Sequence, residues 1–262
     1  MNKIGIIQGR LLPPIDNHIQ EFPRDNWEKE FSLLNKLNLS HIEWIITEKS
    51  LPFNPLFKQS LASYPISVIC CDHLIHESID NYEFLKTQLV SVCEAAIKSN
   101  IKTIGIPLLE ASSLESDIKR KNFIANMNKI SEQFPSLFFS FEAELGWQKV
   151  MEIVNSNEKY KLTYDTGNIT SHCGINVHEE YLTNVFDKVD NVHLKDRKRY
   201  HDGWKTVFPS TGDTNFDLIF RVLKNLGYDK NYTLQTARSV FGIEEQTISY
   251  HKLILENLYD RS

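Results

Sequence analysis

Four residues stand at the ends of apolar, β-branched or aromatic runs in the second half of the chain. Glu142 closes the run Leu137–Glu142, and Asp165 closes Tyr160–Asp165. His193 lies in Asn191–Lys195, and Gln235 in Tyr232–Thr236. Two carboxylates, an imidazole and an amide oxygen form a donor set for one moderately hard divalent ion. Mn²⁺ leads, with Mg²⁺ and Co²⁺ close behind; Zn²⁺ is less favoured without thiolates or more histidines. Each residue also has an ordinary explanation. Asp165 could close an Asx-turn before Gly167, His193 could bond a backbone carbonyl, and a carboxylate could sit at a helix N-terminus. The ordinary explanation must hold four times, on successive strands, so the metal site is the stronger reading.

Such a site needs a scaffold that brings strand ends together. Short apolar runs alternate with amphipathic stretches from end to end. Candidate strands are Lys3–Gln8, His41–Ile46, Ile66–Cys71, Lys102–Pro107, Leu137–Glu142, Tyr160–Asp165, Asn191–Lys195 and Tyr232–Thr236. Candidate helices cover Trp27–Leu37, Ile79–Lys98, Leu114–Phe134, Gly146–Asn155, His178–Lys188, Asn215–Leu226 and Glu244–Tyr259, with a shorter one near Asn54–Ala62. Eight strand-helix units in about 250 residues match the size of a (β/α)₈ TIM barrel, an α/β fold, here as one domain over residues 1–262. A doubly wound open sheet is the alternative, but Gly5…Gly9 does not form its Gly-rich phosphate loop. In a barrel, consecutive strands are neighbours, and their C-terminal ends carry the chemistry. The longest connection, from Asp196 to Asp213, reads as a locally basic loop.

Bulk properties narrow the partners. The formal charge is −5, which argues against nucleic acid. No apolar run approaches a membrane span, and Lys3-Ile-Gly-Ile-Ile is too short for a signal peptide. Cys70, Cys71, Cys93 and Cys173 show no metal or redox spacing. A cytoplasmic protein with reduced thiols is expected, acting on a small molecule; a homodimer is compatible with the sequence.

Seven segments carry a resemblance. They are Gly5-Ile-Ile-Gln8-Gly-Arg10-Leu, His41-Ile-Glu43-Trp44, Phe141-Glu142-Ala-Glu144-Leu, Tyr164-Asp165-Thr-Gly-Asn168, Val192-His193-Leu-Lys195-Asp196-Arg197, Gly212-Asp213-Thr-Asn-Phe216 and Leu234-Gln235-Thr-Ala-Arg238. Together they resemble the xylose isomerase-like TIM barrel superfamily, in its sugar phosphate isomerase/epimerase branch, AP endonuclease family 2 type. The resemblance implies a Glu/Asp/His/Glu metal site that chelates adjacent oxygens of a sugar. Glu142, Asp165 and His193 match the first three ligands. The fourth is Gln235 where characterised ketose epimerases carry Glu. Asn168 falls where those epimerases often place a substrate-contacting His.

Moving a proton beside a carbonyl needs a base and a cation that stabilises the enediolate. An amide cannot accept that proton near pH 7. The expectation is therefore a one-base isomerase or epimerase of a small sugar or sugar derivative, with Glu142 as base and Lys195 or His73 as relay. A dehydratase or lyase acting on a sugar acid or cyclitol, and a non-catalytic sugar-binding relative, are the alternatives. An AP endonuclease would need more histidine ligands and a basic groove. Gln8 and Arg10 follow strand one and could bind a hydroxyl, carboxylate or phosphate. Trp44 could wall the sugar ring or pack between helices. Arg197 is placed to meet the substrate, and Arg238 could fix an anionic group beside Gln235.

Overall fold

The computed structural model describes residues 1 and 3–262. Among the described residues, ten strands follow one another: β1 (Ile4–Ile7), β2 (Ile42–Ile45), β3 (Ile66–Cys70), β4 (Thr103–Leu108), β5 (Phe138–Ala143), β6 (Tyr160–Asp165), β7 (Val189–Leu194), β8 (Asp196–Tyr200), β9 (Gly203–Val207) and β10 (Asn231–Leu234). β8 and β9 pair only with each other, antiparallel. The other eight run parallel and close a barrel in which β10 pairs with both β7 and β1. Eight helices surround it: α1 (Trp27–Lys36), α2 (Tyr82–Lys98), α3 (Asp117–Gln133), α4 (Trp147–Val154), α5 (Thr166–His172), α6 (His178–Val185), α7 (Phe216–Asn225) and α8 (Glu244–Arg261). This is the (β/α)₈ TIM barrel expected from the alternation of strand and helix patterns. No described helix is long and apolar enough to cross a membrane.

The two periodicities explain the layers. Outward-facing strand residues meet helices whose apolar positions recur every three or four residues. α7 buries Phe216, Ile219, Phe220, Val222 and Leu223 on one face. α1 presents Trp27, Phe31 and Leu34. Each such side chain contributes about 1.5–3 kcal/mol on burial. The inward-facing set on the later strands is unusually polar, and it pairs internally. Thr233 Oγ1 donates to Asn191 Oδ1 at 3.0 Å, and Asn191 Nδ2 donates to Glu43 Oε2 at 3.0 Å. Ser140 and Thr163 hydroxyls meet at 2.7 Å. Gly5 leaves the space that the His41 ring fills; a Cβ there would lie 2.2 Å from His41 Nε2. This bonded layer lies beneath the C-terminal rim and supports it.

Three local expectations are corrected. The Gly-containing turn after Asp165 is the helix α5, because Asp165 caps it and Gly167 packs inside its first turn. The connection after β7 is not irregular throughout: Asp196–Val207 folds into the β8–β9 hairpin. The expected helix near Asn54–Ala62 shrinks to a single 3₁₀ turn at Pro55–Phe57, with Asn54 as its cap.

Candidate metal centre and active site

Asp165 ends β6 and caps α5, its Oδ1 accepting the Asn168 backbone N–H at 2.7 Å. That bond orients the carboxylate and leaves Oδ2 facing the barrel mouth. Oδ2 lies 2.8 Å from Lys195 Nζ, an ion pair whose approach is not that of a hydrogen bond. Asp165 is level with His193 in the β6–β7 register. His193 Nδ1 lies 3.2 Å from Glu142 Oε2 and 3.8 Å from Asp165 Oδ2. Its other nitrogen, Nε2, meets Glu43 Oε2 at 2.9 Å. One ligand atom from each of Glu142, Asp165 and His193 falls within 4.8 Å of the other two.

The electrostatics follow from this packing. Burial alone would strip the proton from His193, but Glu43 and Glu142 outweigh it and hold the imidazole well above its ordinary range. Burial pushes the Glu142 carboxyl up; the charge and hydrogen bond of His193, helped by Lys195, overcome this and leave it below the ordinary value. Glu43 is lowered the same way, burial being opposed by His193. Gln235 Oε1, on a residue that lines the same cavity as Glu142, is buried with no hydrogen-bond partner, which is rare for a buried polar atom; Asp165 Oδ2 and His193 Nδ1 meet only Lys195 Nζ and Glu142 Oε2. The two side-chain oxygens are acceptors and the His193 nitrogen becomes one on losing its proton, so the donor set fits a divalent cation. The matching oxygen of Glu142 is free of hydrogen bonds from outside the cluster, because Asn168 Nδ2 takes the other, Oε1, at 2.7 Å.

Asn168, on the first turn of α5, ties the rim together. Its Oδ1 accepts from Lys195 Nζ at 3.1 Å and from Arg197 Nη2 at 3.2 Å. Gly167 makes room for those two stems: an added Cβ would lie 2.8 Å from Lys195 Cγ and 2.9 Å from Arg197 Cγ. A cavity of about 390 Å³ opens above the cluster, lined among others by Arg10, Asp72, Glu142, Asn168, Lys195 and Gln235; Arg197 also lines it. That volume suits a small ligand.

The remaining sequence candidates lie elsewhere. Trp44 points outward, fully buried, with its ring 5.3 Å from those of both Phe22 and Trp27 and its Nε1 donating to Asn54. It packs the helix layer and does not wall the cavity. Gln8 turns its Oε1 to the Ile45 N–H at 3.1 Å, outside the cavity. His73, expected as a relay, is buried away from the cavity; its Nδ1 lies 3.3 Å from Ile46 O, while its neighbours Asp72 and His76 reach the cavity instead. Burial lowers its pKa to about 4. Arg238 bonds the carbonyls of Gly9, Leu12 and Ile19 and so anchors the loop after β1, with no contact to Glu142 or Asp165.

Several site residues escaped the sequence reading. Glu43 was legible as the one charge on a strand of otherwise apolar residues, and strand alternation puts it on the face opposite Trp44. Glu144 lines the cavity with a pKa raised to about 7, by burial first and then by Glu142. Asp72 is likewise raised to about 7, chiefly by burial and next by Glu142. Neither position had a signal, since their burial arises from loops folding over the rim.

No family model and no curated protein matches the chain. Solved structures do. A structure of L-ribulose 3-epimerase superposes with a TM-score of 0.73 at 12% identity, covering 100% of this chain and 95% of that one. IolI protein with a bound zinc atom gives 0.72 at 15% identity, covering 99% and 98%. A xylose isomerase-like TIM barrel protein from Mycobacterium smegmatis, in complex with magnesium, gives 0.65 at 15% identity, covering 97% of each. Shared over nearly their whole lengths, the architecture of this chain is that of the xylose isomerase-like TIM barrel fold.

Proposed function

We propose that the protein is a metal-dependent isomerase or epimerase of a small sugar or sugar derivative. The observation that carries this reading is the convergence of Glu142, Asp165 and His193, with Glu142 and the unpartnered Gln235 lining one small cavity. These four residues would hold a divalent ion, with Mn²⁺ first because oxygen donors predominate. When bound, such an ion polarises a substrate carbonyl and stabilises the negative charge that develops beside it. Glu142 is held in its ionised form, so it is ready to take a proton from the carbon next to the carbonyl. Asn168 fixes its orientation through Oε1. Lys195, placed by Asp165 and Asn168, holds the substrate oxygens or relays a proton. Gln235 cannot act as a second base on the opposite face. Glu142 therefore removes the proton and returns it to the neighbouring carbon on the same face, which converts aldose and ketose.

The test has two parts. Metal analysis and Mn²⁺ titration should give one ion per chain, lost in Asp165→Asn. Incubation with a panel of aldoses, ketoses and sugar acids in D₂O, read by NMR, should show deuterium entering beside the carbonyl, and Gln235→Glu should add epimerisation. A new ultraviolet absorbance from a conjugated carbonyl would replace the isomerase reading with a dehydratase. Substrate binding without turnover under every metal tried would leave a sugar-binding protein.

A further inference from the structure

The loop between β1 and α1 buries a cation whose charge only Asp72 and Glu30 offset among the described residues, and neither of them contacts it. Arg10 is 4% exposed and lines the cavity. Its Nη2 donates to the neutral Gln20 Oε1 at 3.1 Å, and its Nε and Nη1 have no hydrogen-bond partner. It forms no ion pair with any described carboxylate. Among the other cations of the cavity, Lys195 pairs with Asp165 and Lys49 with Asp16, while the less buried Arg197 bonds the neutral Asn168 and leaves its own Nε free. A buried guanidinium without a counter-ion is costly, and proteins ordinarily pair it.

The surroundings hold Arg10 in place. The backbone N–H groups on either side of it, Gly9 and Leu11, both donate to buried Glu30 Oε1, at 2.8 and 3.3 Å. Arg238 bonds the carbonyls of Gly9, Leu12 and Ile19 in the same loop. Gly9 adopts φ +86, and a Cβ there would lie 2.5 Å from Glu21 O, so the chain passes where only glycine fits. A charge fixed this firmly, with two idle donor nitrogens, is preorganised for a ligand.

We propose that Arg10 is an anion subsite of this cavity: the substrate carries a carboxylate or phosphate group that docks on Arg10. The proposal rests on the sugar-converting reading above and narrows it, from sugars in general to sugar acids or sugar phosphates. A neutral sugar supplies no counter-charge to the guanidinium, whereas an oxyanion accepts from Nε or from Nη1, the free donors on its two opposite edges, and neutralises it.

Inorganic phosphate and acetate, each titrated into metal-free protein by calorimetry, test it. Saturable binding is expected for at least one, weakened about tenfold or more in Arg10→Gln. The exposed Lys121→Gln on α3 should bind as wild type does. Binding of phosphate alone assigns a phosphate ester, and of acetate alone a carboxylate. In wild type, one arginine Nε–H resonance should shift on saturation, and Arg10→Lys should lack it; this readout stands even if Arg10→Gln fails to fold. Failure of both anions to saturate the protein, equal binding by folded Arg10→Gln, or no shift of the Arg10 resonance would overturn the proposal. A chain that binds phosphate through Arg10 yet takes up no cation overturns only the isomerase reading. A chain that binds the cation but neither anion overturns only this one.

Discussion

Glu43→Leu isolates the support beneath the proposed metal centre. Glu43 Oε2 receives two buried donors, His193 Nε2 at 2.9 Å and Asn191 Nδ2 at 3.0 Å. Leucine keeps the bulk but offers no acceptor, so both donors, which share the one oxygen Oε2, are left unpaired. Each buried donor left so costs about 1–3 kcal/mol of folding stability. For metal binding, His193 must present a bare Nδ1, and Glu43 enforces this by accepting from Nε2. Losing such an orienting partner typically weakens a site about 10–100-fold, or roughly 1.4–2.7 kcal/mol. One effect opposes this. Glu43 also helps hold the proton on His193, so its removal lowers the imidazole pKa and eases proton release. That relief matters only where the wild-type imidazole is still protonated, toward low pH. The expected defect in Mn²⁺ affinity is therefore largest at pH 9 and shrinks toward pH 6. Competition against a fluorescent chelator across this range, with urea unfolding as the stability control, reads both quantities. Affinity within about twofold of wild type at pH 9, in a folded variant, would refute the idea that Glu43 sets the ligand geometry.

Two further outcomes follow from the structure. Burial raises the Glu30 carboxyl from 4.5 to about 8, against its bonds from Gly9 and Leu11. A carboxyl raised in the folded state stabilises fully below its unfolded pKa, and that stability is lost as pH climbs through about 8. Glu30→Gln should therefore match wild type near pH 4 and exceed it by a few kcal/mol at pH 9 in urea unfolding; parallel pH profiles would contradict this. Gly167→Ala drives a Cβ into Lys195 and Arg197, whose stems lie 2.8 and 2.9 Å away. The strain of about 1–3 kcal/mol is partly offset by the helix preference of alanine, about 1 kcal/mol. Stability and Mn²⁺ affinity should change little while kcat/KM drops about tenfold or more, as misplaced contacts predict; an unchanged kcat/KM would show that Lys195 and Arg197 need not sit where they do.

The barrel was legible in the chain because each layer of it is written locally. Eight apolar runs separated by amphipathic helices of the right length leave few alternatives, and β6 fell on the expected residues, Tyr160–Asp165. Glu142, Asp165 and His193 were legible for the same reason: a polar residue that ends a buried strand stands out, and neighbouring parallel strands bring such residues together. Loop geometry was not. His73 and Asp72 are adjacent, yet which one enters the cavity depends on a single 3₁₀ turn. Arg238 sits three residues after Gln235, but the loop after β1 captures it from across the barrel closure. Alternation puts Trp44 and Glu43 on opposite faces of β2, and the one charge in that strand marks its inward face. Composition and periodicity, then, determined the architecture and the residues that strands deliver to the rim. The neutral partner of Arg10, the Glu43 contact of His193 and the partners of Asn168 were decided only by tertiary contacts, because each depends on groups 10 to 150 positions apart meeting in a dry interior.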